Sequence, residues 1–200
     1  ELSDNLGIMS IDTVFSDPEN TFLELTTSFN FDPDLTGTTL DTTQSSIEQT
    51  IINFFNNNLN GFGRIFRSSE ISTIIDALDP AILNSSFTVK VQQRLAENTL
   101  NPDDGLQFNV LKDYTVNFPV ALAVPDDINF IISTTNFTFN GKNCFIRNKL
   151  NTNTLQIINE SGEVERDNTG SYNRLTGVVS ITGINITGIQ GDSLKVSAIP

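Results

Sequence analysis

Across residues 21–31 apolar and polar side chains alternate, with Leu23, Leu25, Phe29 and Phe31 on one side and Glu24, Thr26, Ser28 and Asn30 on the other. A period of two predicts a strand with one covered face. Asp32-Pro33 closes it, because proline has no N–H to give a ladder and holds its predecessor extended. The period then changes. Ile47, Ile51, Phe54 and Phe55 fall along one stripe of a helix that Asp41 with Gln44 opens as a capping-box-like pair. Asn56-Asn57-Asn58 ends it, since Asn is a poor helix former and a good terminator. After Gly61-Phe62-Gly63, Ser68 or Ser69 caps a second helix whose Ile71, Ile74, Ile75 and Leu78 recur at i, i+3, i+4 and i+7. Asp79-Pro80 stops it. Phe87, Val89, Val91 and Leu95 then alternate with Thr88, Lys90, Gln92 and Arg94 as a second strand. The cluster Asn101-Pro102-Asp103-Asp104-Gly105 is dense in turn formers and marks a domain boundary.

Beyond that boundary the helical period disappears. Tyr114, Val116, Phe118, Val120, Leu122 and Val124 alternate as one long strand, bent or kept at an edge by Pro119. Residues 128–133 form a more continuous apolar strand, followed by Phe137-Thr138-Phe139, Asn140-Gly141 and the run 142–147. Asn-Gly between two β-rich runs is the strongest hairpin signal in the chain. Residues 155–158 and Val164 flank Glu160-Ser161-Gly162, a longer hairpin loop. The glycines between Gly177 and Gly188 are too few for a repeat architecture and read as bulges or corners. Leu194, Val196 and Ala198 give the last strand. The fold class is α+β: a strand-helix-helix-strand half over residues 1–100, then a β-rich half over 101–200, of about seven strands in a sandwich or a strongly twisted sheet.

Composition changes the picture in two ways. The 200 residues are 38% hydrophobic, carried by Ile, Leu, Val and 15 Phe, which is enough to bury a core. The formal charge is −13, and ten acids precede the first basic residue, Arg64. That balance argues against a nucleic-acid partner, because contacts to phosphates need clustered Lys and Arg, and the 11 here are scattered. The acidic stretch is either a solvated surface or a face that docks on a basic partner. Cys144 is the only cysteine, so no intrachain disulfide is available, and a buried inert thiol is expected. No run approaches 18 apolar residues and no signal-peptide pattern opens the chain, so a soluble chain with no membrane partner is expected. The missing initiator Met, and an end at Ile199-Pro200 directly behind a strand, suggest a piece of a longer polypeptide.

Chemistry is thin. With no histidine the usual general base, the Ser-His-Asp and Cys-His arrangements and most zinc sites are absent. Two carboxylates suffice for glycoside hydrolysis, and Asp103 with Asp104 or Asp126 with Asp127 could be proposed, yet both pairs sit in turn sequence. Asp32-Pro33-Asp34 and Asp103-Asp104-Gly105 lack the ligand ladder of a calcium loop. Gly61-Phe62-Gly63 follows a helix and lacks the third glycine of a dinucleotide fingerprint. Asn84, Asn136, Asn159 and Asn185 each open a glycosylation triplet that matters only in a secreted chain. We therefore expect no enzyme, no cofactor and no metal. What stands out instead is Phe54, Phe55, Leu59, Phe62 and Phe66 crowded around the helix-to-helix joint, flanked by Arg64 and Arg67. These seven residues are either core or a candidate interface with another subunit, since interface centres favour aromatics.

The run IINFFNNNLNGFGRIFRSSEISTIIDALD at 51–79, with LQIINESGEVERD at 155–167, Gly170-Ser171-Tyr172-Asn173 and the glycine-spaced run 177–188, resembles the J-like baseplate wedge family of contractile-tail bacteriophages. The likeness is to the branch with complex hexagonal baseplates, and covers the chain as a C-terminal portion of a longer protein. The resemblance implies a structural component of the virion tail baseplate, made late and assembled in the host cytoplasm. It implies a homodimer that joins other baseplate wedge proteins and links neighbouring wedges into a ring around the hub. The family offers no catalytic residues to carry over. The other reading is a β-rich secreted binding module, adhesin-like and glycan-binding.

Overall fold

The computed structural model describes residues 20–59, 66–97 and 105–200. Within them the protein is α+β and mostly β, with two helices and an antiparallel sheet of 11 strands. In chain order these are β1 (Phe22–Phe31), a 3-10 turn (Pro33–Leu35), α1 (Leu40–Asn58), α2 (Ser68–Asp76), β2 (Ile82–Ala96), β3 (Leu111–Asn117), β4 (Ile132–Thr134), β5 (Phe137–Phe139), β6 (Lys142–Asn148), β7 (Thr154–Asn159), β8 (Val164–Asn173), β9 (Val178–Asn185), β10 (Gly188–Ile189) and β11 (Ser193–Ala198). The sheet runs β1-β2-β11-β4-β6-β7-β8-β9-β3, with β5 and β10 paired off this path. Of the predicted boundary cluster, residues 101–104 lie outside those described.

Two cores hang on this sheet. β1 pairs with β2 from Phe22↔Gln92 to Asn30↔Asn84, but only Val91–Ala96 of β2 reaches β11. β1 and the first part of β2 are therefore a two-stranded ribbon, a unit that is marginal without something packed on it. α1 and α2 supply that cover: Ile47, Phe54, Ile71, Ile75 and Ile82 form a small core against Leu25, Phe29 and Phe87. The larger core lies inside the rest of the sheet, where Ile132, Ile146, Leu155, Ile157, Leu194 and Val196 meet Tyr114, Val116, Val179 and Ile181. β3 ends the strand order, yet the Gln93 side chain of β2 donates to the Asn117 carbonyl at its end, at 3.3 Å. The β-rich half is thus one curled sheet of nine strands rather than about seven, the single twisted sheet of the two expected arrangements and not the sandwich.

Several local expectations are corrected. The N-cap of α1 is Thr39, whose hydroxyl accepts from the Thr42 N–H at 3.3 Å, and Asp41 sits in the first turn. α2 has Arg67 at its cap position with no side-chain bond, since Ser68 and Ser69 are already helical. Its apolar stripe is only half covered: Ile71 and Ile75 are buried, whereas Ile74 and Leu78 stay exposed. The long strand predicted to Val124 stops at Asn117, because the chain turns at Phe118-Pro119 and its later N–H groups bond outside any ladder, Leu122 to Arg174 and Ala123 to Ile199. The strand expected over 128–133 shrinks to Ile132–Thr134, because Asp126 draws Ile128 and Asn129 into a turn. The polar strand β8 carries no apolar alternation and was not expected beyond Val164.

The hairpin at Asn140-Gly141 is present, with φ of 52° and 74° and Phe139 facing Lys142. Both values are positive, as a tight two-residue turn between twisted strands demands. Gly170 is constrained differently. Its φ is 139°, and a Cβ there would lie 2.0 Å from the Ser180 carbonyl oxygen on β9. Gly141 opens onto space, so Gly141→Ala should cost about 1 kcal/mol from φ alone. Gly170→Ala must also push β8 off β9, and a loss of roughly 3 kcal/mol is expected. Urea unfolding of the two variants checks the order; equal losses would mean that the strands part at no cost.

Candidate functional site

The chain enters the joint between the helices through Phe54 and Phe55, in the last turns of α1, and leaves it through Phe66, just before α2. Phe54 meets Phe55 edge-on with centroids 6.3 Å apart and Phe66 edge-on at 6.4 Å, while Phe55 and Phe66 stack at 5.8 Å. These are the geometries that ring quadrupoles favour. Phe54 is 6% exposed and belongs to the small core, with Phe55, Leu59 and Phe66 half-buried around it. Arg67 is exposed beside them. Phe62 and Arg64 lie outside the described residues. Among the described residues of the cluster Phe54 serves as interior, and the half-buried flanks of Phe55, Leu59 and Phe66 with exposed Arg67 remain for contact with anything else.

Around this joint Asp79 acts as a clasp. Its carboxylate accepts from the Ala81 N–H at 2.8 Å and from the hydroxyls of Thr36 and Thr38 at 3.0 and 2.9 Å. The bonds fix the turn after β1 to the turn before β2. The Ala81 N–H above all, with the two hydroxyls, holds the Asp79 carboxyl below its ordinary range against the opposite effect of burial.

The ribbon's other face is polar and uncharged at its centre. Ser28 meets Ser86 at 2.7 Å, the Asn30 amide donates to Asn84 at 3.0 Å, and Thr26 faces Thr88. Glu24 is drawn away from the edge, accepting from Ser197 Oγ at 3.1 Å and from Gln92 Nε2 at 3.4 Å. Leu40, Ile52, Ile74, Leu78 and Leu83 all stay exposed on the same helix-and-ribbon unit. Sequence periodicity had assigned Ile74 and Leu78 to the core.

The other candidate chemistry resolves into structure. The Asp126 carboxylate accepts from the Asn129 N–H, the Asn129 amide and the Ile128 N–H, which hold its pKa down. Asp103 and Asp104 lie outside the described residues, as does Gly61-Phe62-Gly63. Asp32 closes a turn by accepting from the Asp34 N–H at 3.0 Å. Among the described residues no group of three or more His, Cys, Asp or Glu gathers as metal ligands. Cys144 is fully buried on β6, and burial pushes its thiol pKa up. Asn159, the third glycosylation triplet, is 6% exposed, and its amide donates to Glu163 and Glu165 at 2.9 and 2.8 Å. Glu165 also pairs with Lys142 at 2.5 Å. Sequence reading missed this β6–β7–β8 network, whose only signal is three acids close together after Asn159.

An open depression of about 510 Å³ is lined by Asn153, Ser171, Asn173 and Arg174, groups able to bond a polar ligand. Its one aromatic, Tyr172, is 3% exposed, so it offers no ring face for a sugar to stack on. No helix among the described residues is long and apolar enough to cross a membrane. The chain matches no protein-family model, and no curated protein matches it.

If Phe54 is core, Phe54→Ala should lower stability by about 3–5 kcal/mol. Thermal or urea unfolding of the isolated chain reads this directly, and a loss below about 1 kcal/mol would return Phe54 to the surface. Asp79 gives a pH test. With its folded pKa below its unfolded one, its contribution is complete above the unfolded value near 3.8 and is lost as pH falls through the folded value. Asp79→Asn should therefore flatten the part of the acid limb between those two values, and an unchanged limb in a pH series of melts would refute the clasp.

Proposed function

We propose that the chain is a structural assembly module of a contractile-tail phage baseplate, a J-like wedge component that self-associates and helps join neighbouring wedges around the hub. In this reading it carries out no catalysis, and its finer layout is the strand-helix-helix-strand half followed by the β-rich half. The observation that carries the reading is the helix-and-ribbon unit, which contains much of the run 51–79 that resembles that family. It leaves Leu40, Ile52, Ile74, Leu78 and Leu83 exposed beside a terminal strand. A unit with five large exposed apolar side chains and, among the described residues, an unpaired sheet edge is suited to being covered by a neighbour. The neutral amide and hydroxyl face of the ribbon supports it further, since such a surface can meet a partner without displacing strongly hydrated charges.

The test is the mass of the chain in solution, alone and mixed with candidate wedge proteins of such a phage. A dimer alone at tens of micromolar, on the order of ordinary transient affinities, and larger complexes in the mixture are expected. A monomer in both would overturn the reading. Arg64→Glu with Arg67→Glu probes whether the acidic stretch 1–48 of one copy meets these basic residues of another. Assembly should slow at low salt while the fold survives, because surface charge acts on encounter and changes stability by only about 0.5 kcal/mol. Light scattering that is insensitive to both salt and mutation would remove charge pairing and leave the apolar surface.

A further inference from the structure

β1 ends the sheet, and among the described residues its outer edge pairs with nothing. Natural proteins blunt such edges with outward charges, proline, bulges or short length. β1 is 10 residues long, holds no proline, and bulges only at its last step, Asn30 to Phe31. Its single charge, Glu24, is tied back onto Ser197 and Gln92. A second observation lies at the strand's middle. The Thr27 hydroxyl is sealed from solvent and has no hydrogen-bond partner among the described residues. Buried hydroxyls are seldom left so, because the lost bonds to water are not replaced. Thr27 faces a groove of about 590 Å³ between β1 and α1, which Leu25, Phe29, Ile47 and Ile51 also line.

The geometry points to a second copy of this chain as the occupant of that edge, its β1 adding antiparallel about a two-fold axis through Thr27. This inference rests on the self-association proposed above and names its surface. Opposed residues on antiparallel strands point to the same face, so a register must pair odd positions with odd to keep the apolar faces together. With Thr27 on the axis, Leu25 faces the second copy's Phe29 and Leu23 its Phe31, all on the groove side. On the outer side Thr26 faces Ser28 and Glu24 faces Asn30. Thr27 then lies opposite its own copy, and a turn of its side chain out of the sealed position would bring the two hydroxyls within reach of each other. Shifting the axis to Thr26 would set Leu25 against Thr27 and remove that match. Charge fits as well: a chain of net −13 can approach itself here because no acid in the register faces another.

Two sets of variants of the full chain test this. Thr27→Cys should form an interchain disulfide under mild oxidation, since directly opposed strand residues lie about 4.5–5.5 Å apart at Cα, within disulfide reach. Glu24→Cys should not, because its two copies would stand about 20 Å apart along the strand. The native Cys144 is fully buried and does not compete. Thr26→Lys with Ser28→Lys sets like charges opposite each other twice and should weaken the dimer about tenfold or more at low salt. Thr26→Lys with Ser28→Glu sets opposite charges there and should restore it, with circular dichroism confirming the fold of each. A dimer that neither crosslinks through Thr27→Cys nor responds to these charges would overturn the edge pairing while leaving self-association standing. A chain that stays monomeric throughout would overturn both.

Discussion

Gln92 sits where three strands meet, and the two cores are coupled through it. On one side its backbone faces Phe22 of β1, and on the other Ser197 of β11. Its amide donates to Glu24 and Ser197, and its carbonyl oxygen accepts from Arg94 Nε at 3.1 Å. At 8% exposure an amide that lost these partners would be costly, so β1 and β11 are held in register by one side chain as well as by their ladders. Upstream of this point β2 belongs to the ribbon and its helices. Downstream it belongs to the curled sheet. The neighbouring Gln93 extends the coupling inward, because its amide reaches both Thr21 and the Asn117 carbonyl and brings the last strand of the order back to the second.

A curled sheet forces backbones together at its corners, and glycine occupies those places. At Gly177 a Cβ would lie 2.2 Å from the Phe118 carbonyl oxygen, while Phe118 N–H bonds the Gly177 carbonyl at 3.0 Å. The chain after β3 is thereby tied to the β8–β9 turn by backbone bonds, which a proline-broken segment with no ladder of its own requires. Cohesion of this kind uses amides and hydroxyls more than ion pairs. Lys142 with Glu165 and Lys149 with Asp167 pair at salt-bridge distance, and the second, with Asp167 72% exposed, is a surface pair of small worth.

Legibility in the sequence follows the range of the determining interaction. β1 and the Asn140-Gly141 turn are local, set by a period of two and by residues that tolerate positive φ, and both are readable. β8 is not, because its Glu, Arg, Asp and Asn side chains share no apolar face; the strand exists because β7 and β9 flank it and Gly170 admits close approach. Val120 and Val124 mislead in the opposite way, keeping strand alternation in a segment that tertiary contacts hold as irregular chain. The aromatic joint was legible as a cluster. That it faces inward was not, since period and composition say which side chains are apolar and nothing about what covers them.

The same limit applies to the apolar side chains of the ribbon and its helices. Among the described residues a two-stranded ribbon with helices on one face gains less from each residue than the curled sheet, because its outer edge pairs with no strand and its other face is uncovered. Its interior is small, with five fully committed apolar residues against the long list in the main core. Such a unit would be expected to spend its apolar side chains inward, yet Leu40, Ile52, Ile74, Leu78 and Leu83 stay outside. Moving even Ile74 inward would require α2 to roll, uncovering Ile71 and Ile75. The helix therefore has apolar side chains on more of its circumference than the ribbon alone covers. Were a second surface to cover these side chains, as proposed above, the ribbon and helices would gain stability, and the Gln92 junction would let them do so without loosening the sheet that carries them.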